Sequence, residues 1–189
     1  MRKVIYDIMA SLDGFIEGSN RELDWAIVDE ELHRYFNDQE RAIGAHLYGR
    51  RMYETMRYWQ TADSDPSNPA YVVEYARIWQ NMPKIVFSRT LEHVEGNARL
   101  VRENIAEEIA KLKAQPGKDM SLGGADIAST FIRLGLVDEY RLYVHPVVLG
   151  SGTPMFPSLD NKIGLRLIET RTFGSGVVLL RYQQADKPQ

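Results

Sequence analysis

The sequence contains no cysteine, which excludes disulfide bonds, zinc–thiolate sites and thiol nucleophiles together. It also lacks an apolar run long enough to cross a bilayer, because charged residues interrupt even the N-terminal stretch MRKVIYDIMASLDG. No lysine- and arginine-rich block occurs, and the formal net charge is −3. A nucleic-acid surface and an anionic membrane surface are therefore not expected, and we predict a soluble, cytoplasmic protein.

The sequence does contain enough apolar material for one core. Its 189 residues are 44% hydrophobic, so we predict a single domain over residues 1–189. Apolar periodicity and turn residues predict strands at 3–10, 45–48, 84–88, 119–122, 139–145, 165–173 and 177–182, and a weaker strand or a turn at 94–101. Helices are predicted to begin near 29, 50, 71, 104 and 125. This order predicts an α/β fold with a mixed sheet, mainly parallel, a C-terminal antiparallel hairpin, and helices on both faces.

The stretch MSLGGADIASTFIRL, residues 120–134, predicts a strand that runs through two glycines into a helix. Gly123 and Gly124 allow positive φ or a close approach to a ligand. The helix that follows would offer unpaired N–H groups and the positive end of its dipole to an anion. Taken alone, the stretch is equally compatible with a tight strand-to-helix turn that binds nothing.

Polar or glycine-containing corners follow four of the predicted strands, at 10–14, 49–51, 88–90 and 123–126. In open α/β sheets ligands bind beyond the carboxyl ends of the strands, so we expect these corners to lie close together. Two of them carry arginines, whose planar guanidinium groups suit phosphates, and two offer backbone amides next to glycines. Together they favour a ligand with several phosphates, such as a nucleotide.

At five places the chain resembles the dihydrofolate reductase-like superfamily, and within it the C-terminal reductase domain of the bifunctional riboflavin-biosynthesis deaminase/reductase in its stand-alone form. The matching motifs are SLDG at 11–14, YGRRMYE at 48–54, VFSRT at 86–90, LGGA at 122–125, and GLVDE at 135–139 with PVVLGSG at 146–152. The resemblance implies a dihydrofolate reductase-like sheet. It also implies a homodimer, to which we expect the alternating strand 139–145 to contribute.

The cofactor implied by the resemblance is NADPH, bound in an extended pose. Residues 49–51 would hold the pyrophosphate and the 2′-phosphate, residues 88–90 would surround the 2′-phosphate, and residues 123–126 would meet the pyrophosphate and the nicotinamide side. The residues implied in cofactor binding are Ala10, Ile16, Gly49, Arg50, Arg51, Ser88, Arg89, Thr90, Gly123, Gly124, Ala125 and Asp126. Of these, Ala10 and Ile16 would lie against the nicotinamide.

The activity implied by the resemblance is hydride transfer from NADPH in a 5-amino-6-(5-phosphoribosylamino)uracil reductase-like reaction of riboflavin biosynthesis. A dihydrofolate or pterin reductase is one alternative, and an NADP-binding module without turnover is another. The riboflavin enzymes usually carry a lysine four residues before the serine of the SLDG motif, where this chain has Asp7. The substrate is therefore predicted only as a small heterocycle.

Two carboxyl groups are candidates for catalysis. Asp13 could bind or protonate the substrate, although an aspartate at this position is equally typical of a turn. Glu31 is the preferred acidic residue on the first predicted helix, with Asp29 and Glu30 close to it.

Three large side chains could wall the substrate pocket, namely Trp25, Phe36 and Met56. Residues of these types at helical spacing are more often part of the core. The four histidines show no metal-ligand spacing, so no metal site is expected and all four are interpreted as structural or solvated.

Overall fold

The computed structural model describes residues 1–185. Within them the strands are β1 Val4–Ser11, β2 Phe15–Glu17, β3 Ile43–Gly49, β4 Lys84–Phe87, β5 Ala98–Val101, β6 Asp119–Gly123, β7 Glu139–His145, β8 Thr153–Pro154, β9 Leu165–Thr172 and β10 Val178–Gln184. The α-helices are α1 Glu30–Arg41, α2 Arg50–Met56, α3 Ala70–Asn81, α4 Ile105–Ala114 and α5 Ala125–Arg133. No helix in this part of the chain is both long and apolar enough to cross a bilayer.

Eight of the strands form one mixed sheet in the order β5-β4-β3-β6-β1-β7-β10-β9. Neighbouring strands are parallel from β5 as far as β7, and the pairings of β10 with β7 and with β9 are antiparallel. The predicted sheet, mainly parallel with a C-terminal antiparallel hairpin, is therefore confirmed. The glycine-containing segment 174–176 lies between the two strands of that hairpin, as predicted.

Successive residues of β1 point to opposite faces of the sheet, and this alternation divides the core. Val4 and Tyr6 belong to a large apolar cluster that includes residues of α4 and α5. Ile5 belongs to a different cluster, which includes Ile78 of α3. Helices therefore cover both faces, as predicted. Asp7 follows on the same face as Ile5 and places a carboxyl group where apolar residues would otherwise extend the core.

Two short strands have no counterpart among the predicted elements. β2 and β8 form a separate antiparallel sheet, in which Phe15 pairs with Pro154 and Glu17 with Thr153. The chain approaches itself closely here, because Gly152 has a φ of +149° and a Cβ atom at this position would collide with the carbonyl oxygen of Glu17. This small sheet brings Glu17 and Thr153 to the central cleft described below.

Some helix ends differ from the sequence prediction. The apolar pattern after residue 50 extends to Trp59, but α2 ends at Met56 and continues as a 3₁₀ turn, Arg57–Gln60. The sequence pair Asn104 and Glu107 suggests a capping box, and this is wrong. Asn104 adopts a left-handed conformation with a φ of +57°, and its side chain makes no capping hydrogen bond. The first amides of α4 are therefore left without a side-chain acceptor from the cap residue.

The strand β7 lies inside the sheet, between β1 and β10. The expectation that this strand contributes to a homodimer is therefore wrong, because its backbone is paired on both sides and its residues are mostly buried. The edges of the sheet are β5 and β9. The β9 edge exposes three apolar side chains, Leu165, Leu167 and Ile168.

Candidate functional site

Two cavities lie at the carboxyl ends of the parallel strands, where α/β sheets bind ligands, and a third lies next to them between the face of the sheet and helix α1. The central cleft, about 490 Å³, is lined by residues that include Ile16, Trp25, Gly49, Arg51, Gly124 and Ala125. The arginine cavity, about 390 Å³, is lined by residues that include Ser88, Arg89, Arg102 and Asn104. The acidic cavity, about 420 Å³, is lined by residues that include Asp7, His33, Glu40, His46 and Tyr143.

The three cavities are adjacent and lie in a row. The central cleft shares Phe87 and Ile127 with the arginine cavity on one side. On the other side it shares four residues with the acidic cavity, namely Ile8, Met9, Met52 and Met56. A single extended ligand in the first two cavities would therefore end beside a second ligand in the third.

The glycine pair at the end of β6 lies at the middle of this row. Gly124 has a φ of +95°, and a Cβ atom there would lie 3.0 Å from Cβ of Met52. Helix α5 begins at the next residue, and no side chain caps it. Gly124, Ala125 and Asp126 all line the central cleft, so the first amides of α5 and the positive end of its dipole are next to the cleft.

Two arginines at the start of α2 point to different partners. Nη2 of Arg51 lies 2.9 Å from Oε2 of Glu17, and its Nη1 lies 3.6 Å from the Asp126 carboxylate. Arg50 donates from Nε to Glu54 at 2.8 Å and from Nη1 to the Thr90 hydroxyl at 3.3 Å. Arg51 therefore links the β2 strand to α5 across the central cleft, whereas Arg50 extends toward the arginine cavity.

Glu17 is held as a carboxylate in this bridge. Its side chain is only 8% exposed, and it also accepts a hydrogen bond from the Thr153 hydroxyl at 2.6 Å. Burial alone would raise the pKa of Glu17, but the hydrogen bonds from Thr153 and Arg51 lower it below its ordinary value.

The arginine cavity combines cationic side chains with an open helix start. Arg102 donates to the carbonyl oxygens of Arg89 and Glu92, at 3.2 and 3.0 Å. The guanidinium group of Arg89 is exposed and has no hydrogen-bond or ion-pair partner within residues 1–185. The start of α4, at Asn104, lines the same cavity. The groups at this end of the row suit an anion such as a phosphate.

The acidic cavity has the opposite character. The pKa of Asp7 is raised to about 7, and burial is the main cause. The Arg141 guanidinium and His46 act to lower this pKa, whereas Glu40 and Glu139 act to raise it. Nη1 of Arg141 is 3.9 Å from Oδ2 of Asp7, and that guanidinium donates to Glu139 at 3.0 Å. A pKa of about 7 means that Asp7 changes its ionisation state near neutral pH.

Most of the sequence-predicted binding residues come together in this row. Ile16, Gly49, Arg50, Arg51, Gly124, Ala125, Asp126 and Trp25 line the central cleft, Ser88 and Arg89 the arginine cavity, Gly123 and Phe36 the acidic cavity, and Met56 two of them. Thr90 lines none of the three but lies within reach of Arg50. Ala10 is completely buried and also lines none of them.

The two predicted catalytic carboxyls lie elsewhere. Asp13 accepts hydrogen bonds from the Ser11 hydroxyl at 2.7 Å and from the amides of Leu149 and Gly150 at 3.1 and 2.7 Å. The hydrogen bond from Ser11 is the main reason that the pKa of Asp13 lies below its ordinary value. Asp13 lines none of the three cavities, so the alternative interpretation as a turn aspartate fits its contacts.

Glu31 also faces away from the cavities. Its carboxylate accepts a hydrogen bond from the Gly174 amide at 2.9 Å and lies 3.4 Å from Nη2 of Arg171, so it binds the β9–β10 hairpin. Glu31 lines none of the three cavities, so its position does not agree with the prediction that it is the acidic residue of a substrate pocket. The neighbouring candidates Asp29 and Glu30 cap α1 and pair with Arg34, respectively.

The carboxyls that do reach a cavity were not among the predicted catalytic residues. In the sequence, Asp7 stands out only as a departure from a lysine, and the histidines are predicted to be structural or solvated. A usable signal exists on α1, where His33, Phe36 and Glu40 are spaced three and four residues apart and so share one helical face. The signal on β1 is the single carboxylate in an otherwise apolar strand, Asp7.

The fold of this chain is that of the dihydrofolate reductase-like superfamily. Dihydrofolate reductase from Enterococcus faecalis, complexed with NADP(H), superposes with a TM-score of 0.64 at 15% identity over 97% of each chain. A protein from Shewanella sp. PV-4 ascribed to riboflavin biosynthesis superposes with a TM-score of 0.75 at 22% identity, over 98% of this chain and all of the other.

Within this superfamily the chain belongs to the RibD C-terminal domain family, whose model matches residues 2–179. It is 43% identical over 182 residues to the uncharacterized protein YyaP of Bacillus subtilis (strain 168), covering 96% of this chain and 94% of YyaP. The deaminase/5-amino-6-(5-phosphoribosylamino)uracil reductase of Thermotoga maritima superposes with a TM-score of 0.68 at 15% identity. That match covers 97% of this chain and 57% of the larger protein. The chain is therefore a member of the RibD C-terminal domain family with a dihydrofolate reductase-like fold.

Proposed function

We propose that this protein is an NADPH-dependent oxidoreductase that transfers a hydride from the nicotinamide to a small heterocycle. One observation carries the proposal, namely the row of three adjacent cavities, two of which lie at the carboxyl ends of the strands. A cationic end, a glycine-lined middle and an acid-lined end follow one another, and adjacent cavities share residues. Such a row suits an extended dinucleotide with a second ring beside its nicotinamide.

The arginine cavity fits the adenosine 2′-phosphate of NADPH. Arg89 has an unpaired guanidinium group among the described residues, and Ser88 and the open start of α4 lie beside it. Arg50 extends to the same corner through Thr90. These donors would bind the 2′-phosphate, which is the group that distinguishes NADPH from NADH.

The central cleft fits the rest of the cofactor. The amides at the start of α5 would face the pyrophosphate, and Gly124 leaves space for its close approach. Arg51 is already paired with Glu17 and Asp126, so in this proposal it holds β2 over the cleft rather than binding phosphate. Ile16 and Trp25, which line the same cleft, would exclude water from the nicotinamide side.

Bound NADPH supplies the hydride, and the chain supplies position and a proton. Met52 and Met56 line both the central cleft and the acidic cavity, so a nicotinamide and a substrate ring would meet between them. A substrate in the acidic cavity would have Asp7 and Glu40 within its surroundings. The proton that accompanies the hydride would come from this side.

Two substrate types are candidates. Membership of the RibD C-terminal domain family favours a riboflavin-pathway reaction, the reduction of 5-amino-6-(5-phosphoribosylamino)uracil or a similar compound. A pterin-type heterocycle is the second candidate, and the presence of carboxyl groups in the acidic cavity favours it. A binding module without turnover would bind NADPH and reduce neither.

Cofactor titration tests the proposal directly. NADPH fluorescence should report saturable binding at least about tenfold tighter than that of NADH, which corresponds to about 1.4 kcal/mol. NADPH oxidation should then be followed with pterins, aminouracil ribotides and small carbonyl compounds. Absence of NADPH binding would contradict the proposal, and tight binding without oxidation by any of these compounds would favour the module.

We also propose that the protein is a homodimer and that the exposed edge strand β9 forms the contact. Leu165, Leu167 and Ile168 place apolar surface on this unpaired edge. Sedimentation should give the mass of a dimer, and Leu167→Lys should shift it toward the monomer. A monomeric wild-type protein at micromolar concentration would contradict this.

A further inference from the structure

The helix start that faces the central cleft carries a negative charge. Asp126 is the second residue of α5, and both Gly124 and Asp126 line the cleft. No side chain caps α5, so its first amides and the positive end of its dipole are open to an anion in the cleft. The Asp126 carboxylate therefore stands on the turn of helix to which a negatively charged ligand would bind.

The cation nearest to Asp126 is shared between two carboxylates. Nη2 of Arg51 lies 2.9 Å from Oε2 of Glu17, and its Nη1 lies 3.6 Å from Oδ2 of Asp126. The contact with Glu17 is the stronger one, because Nη2 also donates to its Oε1 at 3.1 Å and the Glu17 side chain is buried. One guanidinium group thus faces two carboxylates, and the charge of Asp126 is only partly offset.

The other arginine of the central cleft is also paired, because Arg50 donates from Nε to Glu54 at 2.8 Å. The charged residues that line this cleft are Glu17, Arg50, Arg51 and Asp126. Their formal charges cancel. The charged residues that line the arginine cavity are Arg89, Arg102 and Glu103. Two arginines against one glutamate leave a positive charge there, so the two cavities differ in their attraction for phosphate groups.

Asp126 makes few contacts with the rest of the fold. Its side chain is 75% exposed, and its only ion pair within residues 1–185 is the one with Arg51. A carboxylate in the first turn of a helix does favour that helix through the dipole. Asp126 therefore contributes modestly to the stability of α5, while it opposes the binding of an anion to the same turn.

We propose that Asp126 weakens the binding of the pyrophosphate group of a dinucleotide and thereby limits how tightly the cofactor is held. This inference rests on the proposed function, in which the pyrophosphate faces the start of α5. Like charges at close range repel, and both arginines of the cleft are already paired with carboxylates. Asp126 thus determines cofactor affinity and takes no part in hydride transfer. Its effect on the cofactor has the opposite sign to the binding role that the sequence predicts.

The two ends of the cofactor are then held differently. The 2′-phosphate would meet the excess positive charge of the arginine cavity, whereas the pyrophosphate would meet a lining without net charge. NADPH and NADH both carry the pyrophosphate, so Asp126 weakens both by the same factor. Adenosine 2′-monophosphate has no pyrophosphate, and its binding should not depend on Asp126. These three ligands therefore separate an effect at the start of α5 from an effect on the arginine cavity.

Asp126→Asn removes the charge and keeps the shape of the side chain. We expect this variant to bind NADPH and NADH about two- to fivefold more tightly than the wild type, which is the range for exposed charges. Cofactor fluorescence measures both affinities. The affinity for adenosine 2′-monophosphate, measured by calorimetry, should not change. Asp126→Glu retains the charge and should bind all three ligands like the wild type.

Ionic strength shows whether the effect is electrostatic. The Debye length falls to about 3 Å at 1 M salt, so exposed charges no longer act on one another over longer distances. The difference in NADPH affinity between Asp126→Asn and the wild type should therefore be largest at low salt and disappear at about 1 M. A gain in affinity that is the same at both salt concentrations would show that the substitution acts through packing, and would overturn the proposal.

Stability should change in the opposite direction to affinity. Asp126→Asn should lower Tm by about 1–3 °C, because the first turn of α5 loses a favourable charge. A variant that only damaged the structure would bind the cofactor more weakly. Glu30→Gln is the matched control, since Glu30 lies in the first turn of α1, pairs with Arg34 at 2.8 Å and lines none of the three cavities. It should lower Tm to a similar extent and leave all three affinities unchanged.

The outcomes distinguish this inference from the proposed function. If NADPH binds equally well to the wild type and to Asp126→Asn, or more weakly to the variant, the inference is wrong and the cofactor assignment stands. Tighter binding of NADPH without a change for NADH would place the effect at the 2′-phosphate and would also contradict the inference. If neither protein binds NADPH, the proposed function fails and the inference fails with it.

Discussion

Asp7 and Arg141 occupy paired positions on the neighbouring strands β1 and β7, yet their charged groups remain 3.9 Å apart. Arg141 instead donates a hydrogen bond to Glu139, whose carboxylate also accepts one from Arg181 at 2.8 Å. The Glu139 carboxylate thus accepts hydrogen bonds from two arginines, whereas the Asp7 carboxyl, which lines the acidic cavity, accepts none from either. A buried acid without a bonded partner reduces the stability of the folded protein when it ionises.

The first prediction follows from this loss of stability on ionisation of Asp7. Because the folded protein raises the pKa of Asp7 to about 7, the folded state binds more protons than the unfolded state between about pH 4 and pH 7, and ionisation weakens stability as pH rises through that window. Asp7→Asn removes the ionisable group. We expect it to raise Tm by a few degrees at pH 8 and by less at pH 5, measured by calorimetry. A gain that is equal at both pH values would show that Asp7 is not ionising in this range.

Glycine at position 124 is predicted to be required for both conformation and cofactor binding. Gly124→Ala should lower the free energy of unfolding by about 1–2 kcal/mol because of the positive φ, and should weaken NADPH at least tenfold because the new Cβ would crowd Met52 in the central cleft. Urea unfolding and NADPH fluorescence measure the two effects. Gly96→Ala is the control, since it has a φ of +60° and nothing lies within 4 Å of its Cβ position. If both variants bind NADPH like the wild type, the glycine is needed only for the turn.

Arg50→Ala is predicted to affect NADPH and NADH unequally. Its side chain reaches Thr90 beside the arginine cavity and is 50% exposed, so we expect a loss of about three- to tenfold in NADPH affinity. The affinity for NADH should change less than twofold. Arg57→Ala carries the same charge change at an exposed ion pair with Glu95 and should affect neither cofactor. Equal losses for both cofactors would remove Arg50 from the 2′-phosphate site.

The bridge between Glu17 and Arg51 is predicted to hold the segment after β2 against the cleft. Glu17→Gln removes the charge that Arg51 and the Thr153 hydroxyl share. We expect trypsin to cleave after the exposed Arg21 about three to ten times faster in this variant, because opening of the segment requires about 1 kcal/mol less. Glu95→Gln, at an exposed ion pair, is the control. Identical cleavage rates in all three proteins would mean that the bridge does not limit this motion.

The parts of the fold that depend on local pattern were predictable. The passage of β6 through two glycines into α5, and the arginines after β3, follow from residues that are adjacent in sequence. The β2–β8 sheet could not be found in this way, because each strand is too short to show periodicity and the two lie far apart in the chain. Its pairing depends on Gly152, whose role becomes visible only beside Glu17.

The acidic residues of the site show the same limit. Asp13 lies after a strand and Glu31 near the start of a helix, positions at which carboxylates are typical of functional sites. In the structure Asp13 accepts a hydrogen bond from the Gly150 amide, and Glu31 accepts one from the Gly174 amide, both distant in sequence. Asp7 and Glu40 come from two elements that the sequence alone does not place face to face. A pattern can predict that a carboxyl is present, but its availability depends on which donors the tertiary structure brings to it.

The methionines between the central cleft and the acidic cavity have a further consequence. Met9, Met52 and Met56 line both spaces, and unbranched thioether side chains change rotamer at little energetic cost. The wall between the central cleft and the acidic cavity is therefore deformable, whereas Asp7 and Glu40 are carried on a strand and a helix. Under the proposed function, movement of this wall would accommodate ring systems of different breadth.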